Sequence, residues 1–187
     1  IELANDIYLN DTSNVSNWST SAPKNSWKPI GDSENVFSGI FDGKQHEIFG
    51  IYITSNNYDA LFGYVEDGTI KNTNVKEGYI TGSYCVAGIV AYLQYGVVAN
   101  CKNNSTICGK YNTKNSVGGI VGEVHGYKKT NIEYCYNTGN VTGRRYVGGI
   151  IGECDEFSYD SDIEILHCYN SGKITCNDDG ANISSYT

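Results

Sequence analysis

The sequence predicts an all-β fold, a parallel β-solenoid, and three observations predict it. One short phrase keeps returning: Val86-Ala87-Gly88-Ile89-Val90-Ala91, Val117-Gly118-Gly119-Ile120-Val121-Gly122 and Val147-Gly148-Gly149-Ile150-Ile151-Gly152, with a worn copy at Ala60-Leu61-Phe62-Gly63. Its period of about 30 residues marks a stacked repeat architecture. Each copy is followed by two further apolar positions in a fixed order, Ile70, Val98, Ile132, Ile165 and then Ile80, Ile107, Val141, Ile174. These apolar spots are too short for helices and carry no 3.6-residue period. A unit of this kind cannot bury its apolar side chains alone, so coils must stack and share backbone hydrogen bonds with the coils above and below. The pattern predicts about three short strands per coil, with the right-handed crossovers usual for parallel strands.

Residues 1–57 lack the repeat but keep its strand-and-turn style, and are expected to form irregular first coils that cap one end of the stack. Within them, residues 1–11 read as a kinked strand and residues 12–26, rich in Ser, Asn and Thr around Trp18, as a loop. Trp27-Lys28-Pro29-Ile30-Gly31 reads as a turn with an anchored aromatic ring. Asp42-Gly43 is a strong tight-turn signal, and residues 46–53 alternate as one strand. The solenoid proper is expected over 58–187, with coils at about 58–85, 86–116, 117–146 and 147–176 and the start of a further coil. The variable inserts, His125 to Lys129 and Asp155 to Asp162, fall at one place in the repeat and should gather on one face.

Composition narrows the partners. With 187 residues the chain is long enough for a continuous core, and Gly 22 against Pro 2 suits tight turns whose backbone must still donate hydrogen bonds. Asn tolerates left-handed turns and builds side-chain ladders between stacked coils. A formal charge of -8 argues against nucleic acid or an anionic membrane. No apolar run is long enough for a membrane-spanning helix. Both ends read as cut from a longer chain that continues into further repeats or domains. Cys101, Cys135 and Cys168 share one column with Thr73 and are read as small buried filler, since parallel Cβ vectors seldom meet disulfide torsions. Cys108 should stack on Thr81, close to Cys85, so a Cys85–Cys108 bridge is considered.

Several segments together resemble a known family. Asn5-Asp6-Ile7-Tyr8-Leu9, Trp27-Lys28-Pro29-Ile30-Gly31, Phe37-Ser38-Gly39-Ile40-Phe41-Asp42-Gly43 and Leu61-Phe62-Gly63-Tyr64-Val65 resemble the opening of GLUG-motif proteins. The Gly-Gly-Ile-Val-Gly phrases and Cys135-Tyr136-Asn137-Thr138-Gly139-Asn140-Val141-Thr142-Gly143 resemble the GLUG repeat itself. The resemblance implies a secreted or cell-surface bacterial protein, either an adhesin or a non-catalytic region of an IgA-specific metallopeptidase. It supplies no catalytic residue. Ala87 and Ala91 replace two of the glycines, so local distortion is expected in that coil.

The residues themselves offer few chemical sites. There is no His-Glu-x-x-His, His46, His125 and His167 lack ligand spacing, and no Gly-x-Ser-x-Gly elbow exists. Glu123 and Glu153 share a column above Tyr64 and Tyr92 and should face outward. Two carboxylates one coil apart could serve a retaining glycosidase on a β-helix, but a solvated acidic column explains the same letters and is preferred. Asp155, Glu156, Asp160 and Asp162 concentrate oxygens as a calcium loop would, without the Asp-x-Asp-x-Asp-Gly pattern; no cofactor is expected. Tyr136 and Tyr169 share a column with Tyr134 and Tyr146 nearby, an aromatic platform for a host glycan or protein, or simply stacking between coils. The preferred reading is a non-catalytic extracellular module, an adhesion surface or rigid stalk.

Overall fold

The computed structural model describes residues 1–55, 57–110, 115–156 and 162–177. Strands stack in parallel into four sheets, and among the described residues four complete coils each contribute one strand to each sheet. In the third, the strands are Val90–Ala99, Lys102–Asn103, Thr106–Gly109 and Ser116–Gly118. The expected three strands per coil are therefore four. The difference lies in the returning phrase, which is not one strand: Ser116–Gly118 ends one sheet, and Val121–Glu133 begins another after a corner at Gly119 and Ile120.

Register follows the repeat. Val98 pairs with Ile70 below and Ile132 above, and Ile132 with Ile165. Ile53, Ile80, Ile107, Val141 and Ile174 form a second column. The amide of Ile89 donates to Ile120, and that of Ile120 to Ile150, at 3.2 and 3.0 Å. Nearly all of these side chains in the middle coils are fully buried in one continuous core. Truncating one of them, Ile120→Ala for example, should cost about 2–5 kcal/mol.

The N-terminal region joins the stack earlier than the repeat suggests. Ile40–Asp42, Glu47–Phe49, Tyr52–Thr54 and Tyr58–Asp59 already make one strand for each sheet, in register with the coil above. The stretch 46–53 is not one strand but two. Gly50 turns the corner between them at φ +73, where a Cβ would meet the Asn10 carbonyl oxygen at 2.7 Å. Below this coil, Ile7–Tyr8 adds a further strand to one sheet. The expected loop 12–26 contains a 3-10 helix, Thr12–Asn17, whose first turn is capped by the Asp11 carboxylate. It seats Trp18, 3 % exposed, edge-on against Tyr52.

The Ala87 and Ala91 substitutions cause no register break: Val86 and Ala87 pair directly with Val117 and Gly118. The insert from His125 does bulge. Gln94 pairs with His125, and Gly96 with Thr130, so the intervening residues lose their partners in the coil below, while Gly126 still pairs with Glu156 above. Cys85 and Cys108 are separate free thiols, which corrects the considered bridge. Cys85 lies buried in one sheet beside Glu123, whereas Cys108 sits on the outer face of another sheet, in register with Thr81. The Cys101, Cys135 and Cys168 thiols each donate to the carbonyl two residues back, as the Thr73 hydroxyl does, and none is in a disulfide.

Candidate functional site

Three regions gather the side chains that could carry function. The first is an exposed corner. Asn72, Asn100, Tyr134 and His167 all adopt φ of 52–53°, the left-handed region, at the same point of successive coils. Asn suits this conformation and ladders, with Asn100 Nδ2 donating to Asn72 Oδ1 at 2.7 Å. In the upper coils Tyr134 and His167 take over and stack at 4.9 Å. A tyrosine in this backbone region is uncommon and strained, whereas histidine, like asparagine, adopts it more readily. Two residues on, Tyr136 and Tyr169 are Cα partners and stack at 5.1 Å with rings 8° from parallel. Tyr134 and Tyr169 are more than half exposed.

Tyr146 does not belong to this edge. It pairs with Ser116 in a different sheet and lines the second region, a concavity of about 330 Å³ with Tyr84, Glu123, Glu153, His125 and Asp155. Here the outer faces of two sheets meet in a concave angle. The chain doubles back at the glycines to make it: a Cβ on Gly118 would overlap the Val121 carbonyl, and one on Gly122 would meet the Val86 amide nitrogen at 3.0 Å. Cys85, Ala60, Ala87, Ala91 and Tyr92 fill the angle as a second, small core.

Glu123 accordingly points away from the main core, as alternation requires, yet it is 6 % exposed and not solvated. The solvated column is corrected at this position. Its Oε1 accepts from His125 Nε2 at 2.8 Å, and its Oε2 lies 3.2 Å from both the Cys85 thiol and the Ser116 hydroxyl. The same hydroxyl is 2.5 Å from Glu153 Oε2. One hydroxyl hydrogen thus serves two carboxylates. Burial pushes the Glu153 carboxyl up, the Ser116 hydrogen bond opposes this, and the Glu123 charge adds to the rise. Burial and Glu123 also push the Cys85 thiol up, so it stays a thiol.

Of the calcium candidates, Asp155 stands 4.0 Å from His125, and Asp162 is exposed at the edge of the insert. Asp160 and the Glu156 side chain lie outside the described residues. Among the described residues, no three His, Cys, Asp or Glu side chains group to hold a metal.

The third region was not read from sequence. A pocket of about 660 Å³ is walled by Trp27, Tyr58 and Tyr84, with Lys28, Asp32 and Asn57 on its rim. The anchored-turn reading of Trp27 was its one visible sign. Tyr84 also lines the acidic concavity, so the two hollows adjoin. Tyr58 is the hub of an aromatic cluster, with Tyr64, Tyr84 and Tyr92 at 5.4, 5.5 and 5.5 Å.

Comparison with known proteins adds three findings. Residues 114–142 match the GLUG motif. A stretch of 94 residues, 49 % of this chain, is 31 % identical to Halomucin of Haloquadratum walsbyi (strain DSM 16790 / HBSQ001), of whose length it spans 1 %. The whole chain superimposes on 74 % of a candidate immunoglobulin A1 protease from Bacteroides ovatus, solved at 1.30 Å, with a TM-score of 0.59 and 19 % identity. That last likeness is one of fold.

Proposed function

We propose that this chain, a GLUG-motif repeat β-solenoid, is a non-catalytic extracellular module of a bacterial surface or secreted protein. It serves as a rigid spacer and presents an adhesion surface to a host glycan or protein. The observation that carries this reading is the pair of pre-stacked aromatic columns, Tyr134 on His167 and Tyr136 on Tyr169, on one exposed edge of a stiff stack. Rings held in place by the coils lose little freedom on binding, so they offer contact area at low entropic cost. The relatives described above support the surface or secreted setting. Among the described residues no helix is long and apolar enough to cross a membrane.

A carbohydrate-active reading has one observation in its favour. Glu123 and Glu153 are direct partners on adjacent strands, a spacing that suits a retaining pair. The Ser116 hydroxyl, however, occupies the place between them where a sugar carbon would have to sit. Both oxygens of Glu123 are already engaged. We therefore assign these carboxylates to the packing of the concave angle.

Glycan-array and host-protein pull-down screening of the native chain against a Tyr136→Ala/Tyr169→Ala variant tests the proposal. At least one bound partner should be lost with the two rings. A partner profile identical with and without them would remove the aromatic edge as the adhesion surface.

A further inference from the structure

We infer that the pocket walled by Trp27, Tyr58 and Tyr84 is a binding site for a neutral oligosaccharide. It is separate from the exposed aromatic edge and does not depend on it. Its volume of about 660 Å³ falls in the range of small-ligand sites. Its lining combines aromatic rings with polar side chains, the combination a sugar ring requires. The C–H groups on the flat face of a pyranose carry partial positive charge and meet the negative face of an aromatic ring. Its hydroxyls need donors and acceptors at the edge, which Lys28, Asp32 and Asn57 supply.

The pocket is pre-formed. Trp27 is held at both ends, its backbone amide donating to the Tyr52 carbonyl at 2.8 Å and its indole N–H to the Leu61 carbonyl at 3.1 Å. The Asp32 loop is fixed by the Glu34 and Asn35 amides, which donate to Asp32 Oδ1 at 3.1 and 2.8 Å. Tyr58 and Tyr84 meet edge to face, 74° apart, and Tyr84 leaves 47 % of its surface exposed. A ligand therefore orders little that is not already ordered.

The surroundings select the ligand class. The adjoining concavity carries Glu153 and Asp155, whose charge repels a uronic or sialic acid extending past Tyr84. A neutral chain suffers no such penalty.

The chain has two tryptophans, and Trp18 is buried, so ligand-induced fluorescence change reports on Trp27. Cellohexaose, laminarihexaose and mannohexaose would be titrated against the native chain, with hexagalacturonate as the anionic counterpart. At least one neutral hexasaccharide should bind saturably, and hexagalacturonate at least tenfold more weakly. Tyr84→Ala, at an exposed position that leaves the core intact, should weaken binding by about tenfold or more, whereas Tyr136→Ala/Tyr169→Ala should leave it unchanged. Trp27→Phe, which removes the fluorescent reporter and is followed by isothermal titration calorimetry instead, should reduce it as well, with melting temperature as the check on folding. The inference is overturned if no neutral hexasaccharide saturates, if Tyr84→Ala binds like the native chain, or if hexagalacturonate binds as tightly.

Discussion

Gly119 and Asn137 compete for one volume inside the fourth coil. A Cβ on Gly119 would overlap the side-chain amide of Asn137 and the Gly149 carbonyl in the coil above. The same pairing recurs as Gly88 with Asn103 and Gly149 with Asn170. These asparagines form a buried ladder, with Asn103 Nδ2 donating to Asn137 Oδ1, and Asn137 Nδ2 to Asn170 Oδ1, both at 2.8 Å. One coil lower the interior position is Val75, and there Leu61 alone bridges Ala60 and Phe62, with no glycine. The second glycine of the phrase and the buried Asn therefore come and go together. Gly119→Ala should cost about 3 kcal/mol, because the Gly149 backbone cannot move aside. Asn137→Val, which strands the Asn103 donor and the Gly139 amide, should cost about 2–3 kcal/mol. Urea unfolding midpoints measure both.

The exposed corner should behave in the opposite way. Tyr134 holds left-handed backbone that Asn72 and Asn100 adopt at less strain, and His167 shares the same φ. The Tyr134→Asn/His167→Asn variant should therefore keep or raise stability, by up to about 1 kcal/mol, while removing one aromatic stack from the proposed adhesion edge. A higher melting temperature together with lost partner binding is the expected result. A clear fall in melting temperature would show that the stack outweighs the backbone strain.

The stack itself was legible because equivalent letters at a fixed period can only mean equivalent places, and Ile89, Ile120 and Ile150 do lie over one another. The column of Asn72, Asn100, Tyr134 and His167 was legible for the same reason. The burial of Glu123 was not. Alternation says only which face of a strand a side chain leaves from, and the sharp turn at Gly118 and Gly119 folds a second sheet over that face. Nor was the Trp27 pocket legible, since it joins cap residues to Tyr58 and Tyr84 of the first repeat coil, and no periodicity relates the two segments. Four strands were read as three because a corner between two apolar residues leaves no polar punctuation.

The thiols should divide sharply. Cys85, Cys101 and Cys135 are buried, and burial raises the Cys85 thiol. The neighbouring Cys101 thiol and burial together raise that of Cys135. Native protein treated with iodoacetamide near pH 8 should leave these three unmodified, with Cys176 reacting first and Cys108, partly exposed but also raised by burial, following more slowly. In denaturant all seven should label at similar rates, and peptide mass spectrometry should find Cys85 and Cys108 both as thiols. A Cys85–Cys108 peptide pair under non-reducing conditions would contradict the placement of both residues.

Stability should fall on both sides of mildly acidic pH, and Asp42 and Glu153 are two of the carboxyls that make it do so. Asp42 is held at about 2 by the Asn72 side-chain amide and the Lys44 backbone amide, below its ordinary 3.8. Its folded-state pKa is depressed, so its contribution is present above the unfolded value and is lost as pH falls toward 2. Glu153 runs the other way. Burial and the facing Glu123 and Asp155 raise it above 4.5, against the opposing pull of Ser116 and His125. The folded state then binds this proton more tightly than the unfolded chain, so the stabilisation is full below 4.5 and is lost as pH rises through the raised value. Thermal melts across pH should show Asp42→Asn making the acid limb shallower without touching the other, and Glu153→Gln making the limb above 4.5 shallower without touching the acid one; Asp59, also raised by burial, keeps its share of the latter. The second substitution should also relieve the crowding of two carboxylates on one Ser116 hydroxyl, since an amide can donate to that oxygen and carries no charge. If Glu153→Gln lowers the melting temperature at pH 8 as much as at pH 4, the Glu123–Ser116–Glu153 chain does not hold the extra proton.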